Sequence, residues 1–201
     1  MSVTTMTAKR RITVADIMPM AEYGRIRHEH RRALVQVKKR RRMEVGPFVT
    51  FHFESYDTMW AQVHEMLYIE KGGDEQLAGE LEAYNPLIPQ GRELVATMLI
   101  EIEDEIKRGR ILATLGHIED TVSLSFAGET VKALPADSAE RTTAEGKTSS
   151  VHFLRFPMTP AQVAAFKTPG AQVLLGIAHA NYGHIAVMPE TVRAELARDL
   201  D

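Results

Sequence analysis

Apolar and polar positions alternate along Phe48–Glu54 and then change period. Val49, Phe51 and Phe53 point one way and Thr50, His52 and Glu54 the other, the period-two signature of a half-buried strand. Beyond Asp57 the spacing lengthens to that of a helix. Met59, Val63 and Met66 share one side, and Trp60, His64 and Leu67 the next. Ser55 or Asp57 offers a side-chain oxygen to the free amides of the first turn. Gly72-Gly73 ends the helix. This strand–helix corner, Phe48 to Lys71, holds the only Trp and two of the eight His, together with Glu54, Asp57, Glu65 and Glu70. Chemistry is expected here before anywhere else.

Upstream, the pattern predicts a helix from Pro19 to about Arg41, with Tyr23, Ile26, His30, Leu34 and Val37 as its apolar stripe. Gly46-Pro47 then turns the chain into the strand. Downstream come a helix along DEQLAGELEAY, a proline-bracketed loop NPLIPQG, and the strand LVATMLIEIE, whose outer positions become acidic at Glu101 and Glu103. DEIKRGRILATLGH reads as a helix closed by Gly116. TVSLSF and ETVKAL form a hairpin around Ala127-Gly128. Residues 135–149 have no periodicity and form either a mobile loop or a linker. VHFLRF and AQVLLGIAH are strands separated by a helix from Pro160, and PETVRAELARDL closes the chain as a helix. Mixed elements without a strict βαβ repeat give an α+β fold: a long basic N-terminal helix packed on a mixed, largely antiparallel sheet with further helices. Residues 1–201 are expected as one domain, the alternative being two subdomains, 1–134 and 150–201.

Charge changes this picture more than composition does. The net charge is −3, but residues 1–42 carry twelve Lys and Arg against three Asp and Glu, a net of +9, and the rest carries −12. A basic arm is joined to an acidic body, and packing of the arm onto that body is the expected outcome. With no Cys, the chain has no thiol nucleophile and no cysteine ligands for an iron–sulfur cluster. MSVTTMTAKRRITV lacks the apolar core of a signal peptide, and no apolar run is long enough to span a bilayer. A cytoplasmic location is expected.

Familiar motifs fail on spacing. Gly146-Lys147-Thr148-Ser149 resembles the end of a phosphate loop, but Arg141 stands where that loop needs Gly, and a strand follows instead of a helix. His64-Glu65 begins like a zinc-protease helix, but Tyr68 occupies the second His position. Three softer groups remain. His52, Glu54, Glu65 and Glu101 would form an N/O-rich site for divalent iron, manganese or zinc if the two strong strands are neighbours. His179, Tyr182 and His184 flank the end of a buried strand, where a metal or anion can sit or where histidines satisfy loop backbone. Arg25, Arg31, Arg32, Lys38, Lys39, Arg40, Arg41 and Arg42 would meet an anion or an acidic partner. Nucleic acid is disfavoured, because the acidic body repels it and no aromatic ladder interleaves the cations.

The blocks VGPFVTFHFESYDTMWAQVHEMLYIEK, ELEAYNPLIPQG, ATMLIEIEDEIKRGRILATLGHIED, KTSSVHFLRF and ETVRAELARDL together closely resemble a bacterial domain-of-unknown-function family, the one numbered thirty-five-oh-one. The resemblance spans nearly the whole chain and carries no catalytic residues to transfer. It implies association with rubrerythrin-like proteins and iron–sulfur oxidoreductases, hence a role in peroxide defence or electron transfer as a partner. Two function classes follow: an accessory protein that docks a redox partner, and a metal-dependent enzyme or metal-binding protein. One structural expectation separates them. If an arginine of the N-terminal helix clamps Glu54, Glu65 or Glu70, the carboxylates are poor metal ligands.

Overall fold

The computed structural model describes residues 9–201. The reading of the N-terminal stretch as lacking a signal peptide falls partly on residues 1–8, outside that range. A long helix, α1 (Met20–Lys39), leads into a hairpin of β1 (Arg42–Val45) and β2 (Val49–Phe53). Helices α2 (Tyr56–Glu70) and α3 (Gly73–Tyr84) precede β3 (Glu93–Ile100) and α4 (Glu105–Leu112). The strands β4 (Val122–Phe126), β5 (Glu129–Lys132), β6 (Leu134–Pro135) and β7 (Val151–Pro157) follow. The chain closes with α5 (Pro160–Lys167), β8 (Leu174–His179), β9 (Tyr182–Val187) and α6 (Glu190–Leu196).

Two sheets result, ordered β1-β2-β3-β7-β6 and β5-β4-β8-β9, with antiparallel pairing at every ladder. The α+β expectation holds, with the strands divided between two sheets. Alternation explains the layering. Val49, Phe51 and Phe53 of β2 and Leu94, Ala96 and Met98 of β3 face a core shared with Leu124 of β4 and Leu175 and Ile177 of β8. On the opposite face of the first sheet, Val95 packs with Met59, Val63 and Leu67 of α2. The α1 helix lies on α2. No helix among the described residues is long and apolar enough to cross a membrane.

Local chemistry sets the boundaries. The Ser55 hydroxyl accepts from Thr58 N and the Thr58 hydroxyl from Ser55 N, so each caps the other at the start of α2. That helix ends on Lys71, which takes the left-handed conformation (φ 58°) usually left to glycine. Three strands exceed the pattern-based expectation, one of them the two-residue β6 at the close of ETVKAL. β1 follows directly on the basic run, whose charges mask the alternation of Met43 and Val45. β9 occupies a stretch to which the pattern assigns no element, because Gly183 and Ala186 dilute its apolar signal. The helix α1 is less buried than its stripe implies: Tyr23 is fully enclosed, whereas Ile26 is 37% exposed.

Candidate functional site

The corner between β2 and α2 organises two polar assemblies. In one, Glu54 follows β2, buried, and its carboxylate accepts from the hydroxyls of Thr58 (2.6 Å) and Thr97 (2.7 Å). Beneath it Arg41, only 3% exposed, donates to the backbone oxygens of Phe53 (3.0 Å) and Glu54 (2.8 Å). The same guanidinium contacts the Asp199 carboxylate directly and lies 3.8 Å from Glu195. Burial pushes the Asp199 carboxyl above its ordinary value, against the opposing pull of Arg41. Two neighbours extend the cluster: Arg40 meets Glu195 at 3.4 Å, and Arg10 meets Asp201 at 2.6 Å.

The other assembly is the seam between α1 and α2. Arg27 grips Glu65 with two parallel hydrogen bonds, 2.9 Å from Nε and 2.8 Å from Nη2, and stacks over the Tyr68 ring at 4.8 Å. The Tyr23 hydroxyl donates to the same carboxylate at 2.8 Å. Arg27, followed by Tyr23, holds Glu65 below the usual carboxylate range, while burial and then Glu65 raise the Tyr23 phenol. The helix-to-corner clamp expected from the charge pattern is therefore present, with Arg27 as its cation.

Above the clamp, aromatic and imidazole rings interlock. His64 stacks on Trp60 at 3.6 Å, Tyr23 meets both, and His30 lies edge-on to Trp60 at 5.1 Å. Hydrogen bonds fix the His64 tautomer. Met18 N–H donates to its Nε2 (3.0 Å), so its proton sits on Nδ1 and points to the Trp60 carbonyl (2.7 Å). Trp60 Nε1 donates to Asp16 O at 2.8 Å. Two α2 side chains thus pin the segment that precedes α1. Burial depresses the His64 pKa, with Trp60 O opposing and His30 adding to the depression. Because the folded-state value lies below the unfolded one, this contribution to stability is present above about pH 6.5 and is lost as pH falls towards the depressed value. A His64→Gln variant is expected to show a shallower loss of stability between neutral and mildly acid pH, read as melting temperature against pH. An unchanged slope would remove His64 from that role.

The residues grouped for a metal do not form one ligand set. His52 and Glu54 leave the same strand, but Glu54 is committed to two hydroxyls and Glu65 to Arg27 and Tyr23 on α2. Glu101 is exposed past the end of β3, 4.0 Å from Arg42. No group of three or more His, Asp or Glu side chains able to hold a metal ion occurs among the described residues. His179, Tyr182 and His184 are likewise engaged in structure. His179 Nε2 lies 3.2 Å from Gly116 O and its Nδ1 accepts from Asn181 N. The Tyr182 hydroxyl accepts from Phe48 N (2.9 Å) and Val49 N (3.1 Å) and donates to Val45 O (2.8 Å), while His184 packs edge-on to its ring.

The basic run divides. Arg41 is a buried strut rather than a surface contact, because its counter-ions close over it from the C-terminal segment. Arg42 turns to Glu44 at 2.9 Å, and Arg40 to Glu195. Arg25, Arg31, Arg32, Lys38 and Lys39 remain exposed, with no ion-pair partner among the described residues. Arg27, Thr97, Glu195 and Asp199 escape the sequence reading, since each acts through a partner distant in the chain. Two clefts flank Arg27 and Tyr68. One, of about 400 Å³, is lined by His28, Arg31 and Arg32, and the other, of about 890 Å³, is mostly apolar.

The family described as "Protein of unknown function (DUF3501)" matches residues 11–200. The chain belongs to that family. Its fold is shared with a crystal structure, at 1.90 Å resolution, of a novel protein of unknown function from Burkholderia pseudomallei K96243. That chain is 38% identical, with a TM-score of 0.88 over 94% of this chain and 99% of the other. No curated protein matches the chain. Within DUF3501, the features above thus stand on geometry rather than on a transferred activity.

Proposed function

We propose that this DUF3501 protein is a non-catalytic accessory module, working in the cytoplasm, that docks an acidic partner on the outward face of α1. The observation that carries the reading is the division of labour among the cations of the arm. Arg27, Arg40, Arg41 and Arg42 are spent on carboxylates of the protein itself. Arg25, Arg31, Arg32, Lys38 and Lys39 stay solvent-facing on one helix of a chain that is net negative. Such a field steers association and raises the encounter rate with an acidic surface. The partner class is the one that the family resemblance implies, a rubrerythrin-like or iron–sulfur redox protein.

Affinity capture with the immobilised full chain tests this. A redox protein should be retained at low ionic strength and lost at about 1 M salt, where the Debye length falls to about 3 Å. The triple variant Arg31→Glu, Arg32→Glu, Lys38→Glu should lose that retention about tenfold or more while melting normally, since these side chains make no internal ion pair. Retention indifferent to salt, or equal for the triple variant, would remove α1 as the docking face.

A further inference from the structure

The apolar cleft beside α1 is built from three directions. Its first wall is the segment from Val14 to Ala21, the second is the C-terminal turn of α2 at Leu67 and Ile69, and the third is Leu77 of α3. At about 890 Å³ it falls within the range of about 300–1,000 Å³ in which small-molecule sites occur. Val14, 68% exposed, and Ile69, 61% exposed, present apolar surface to this one space. The wall is preformed: the Met18 amide is held by His64 and the Asp16 carbonyl by Trp60. The Trp60–His64 pair thereby shapes the cleft.

The polar groups are few and concentrated. Lys71 lines the cleft from its left-handed position at the end of α2 and has no ion-pair partner among the described residues. Asp74 is the lone carboxylate in the lining. Arg27 is occupied by Glu65. Arg27, stacked on Tyr68, stands as a shared wall between this space and the cleft lined by Arg31 and Arg32. An occupant that suits this lining has an aliphatic chain for the apolar walls and an anion for Lys71.

We propose that this cleft is a binding site for a free aliphatic carboxylate of fatty-acid type, its chain along Met18, Leu67, Ile69 and Leu77 and its carboxylate towards Lys71. The site goes beyond the docking role and stands or falls separately from it. Calorimetric titration of the full chain with laurate, below its micelle concentration, is the test. Intrinsic fluorescence is a second readout, because the sole Trp60 is bonded to Asp16, next to the cleft residue Ile17. Saturable one-to-one binding with a change in Trp60 emission is expected, strengthening about fourfold per added methylene from octanoate to laurate. Ile69→Glu should weaken it about tenfold or more, as a charge placed against the chain must be desolvated. Lys71→Glu should weaken laurate about threefold to fivefold and leave 1-dodecanol unchanged. Both positions are exposed, so both variants should melt as the parent does. Absence of saturable binding would overturn the proposal. So would equal binding by Ile69→Glu, or dodecanol binding as tightly as laurate to the parent.

Discussion

Arg41→Ala is expected to cost about 3–5 kcal/mol of folding stability, the largest loss from any single arginine in the chain. The reason lies in what remains after the guanidinium is gone. Two backbone oxygens, of Phe53 and Glu54, lose their donor at the end of β2. Asp199, its side chain 13% exposed and its pKa raised by burial, loses the cation that opposes the rise. It must then fold as the neutral acid or pull water inwards. Denaturant unfolding followed by circular dichroism gives the number. The double variant Arg41→Met with Asp199→Leu separates pairing from packing: removing both charges should recover much of the loss. A loss under 1 kcal/mol for Arg41→Ala would show that the strut is dispensable.

Tyr182→Phe should be nearly as severe, at about 2–4 kcal/mol, although it deletes one oxygen atom. That hydroxyl serves the amides of Phe48 and Val49 and the carbonyl of Val45, all in the turn joining β1 to β2. Leaving several such groups without partners costs far more than the hydroxyl's own transfer into water. The turn has no slack to compensate. A Cβ on Gly46 would lie 2.5 Å from the His184 ring and 2.6 Å from the Tyr182 oxygen, in a backbone conformation of φ +71°. Gly46→Ala is therefore expected to destabilise similarly, and thermal unfolding of the two variants checks both. If Tyr182→Phe melts like the parent, the hydroxyl is not what holds the turn.

Much of the fold was legible because its signals are local. The change of period at Ser55, the cap it supplies and the alternation through β2 and β3 are all written within a few residues of where they act. A clamp of this kind was legible for a different reason: a helix with so many like charges needs both a carboxylate and a packed face to be stable, although nothing singled out Arg27 among its arginines. Arg41 was not legible. It stands in a run of five cations, Lys38–Arg42, and nothing nearby distinguishes the one that turns inwards. Its counter-ion is 158 positions away. His64 was equally hidden, since its partners are a backbone amide and a backbone carbonyl, which carry no sequence identity. Tyr182 and the two histidines beside it looked like a ligand cluster because the residue types suit one. Only their placement shows Tyr182 and His179 spent on backbone groups and His184 packed on the Tyr182 ring.

The closure of residues 195–201 over Arg10, Arg40 and Arg41 also has a consequence in time. At a synthesis rate of about 5–20 residues per second, Asp199 is joined to the chain roughly 8–30 s after Arg41. Through that interval β2 can pair with β3, but the strut beneath it has no counter-ion, and Arg10 and Arg40 also wait for theirs. A nascent chain halted before Glu195 therefore keeps Arg41 within reach of a trypsin-like protease, and the onset of protection at Arg41 marks the moment the molecule closes.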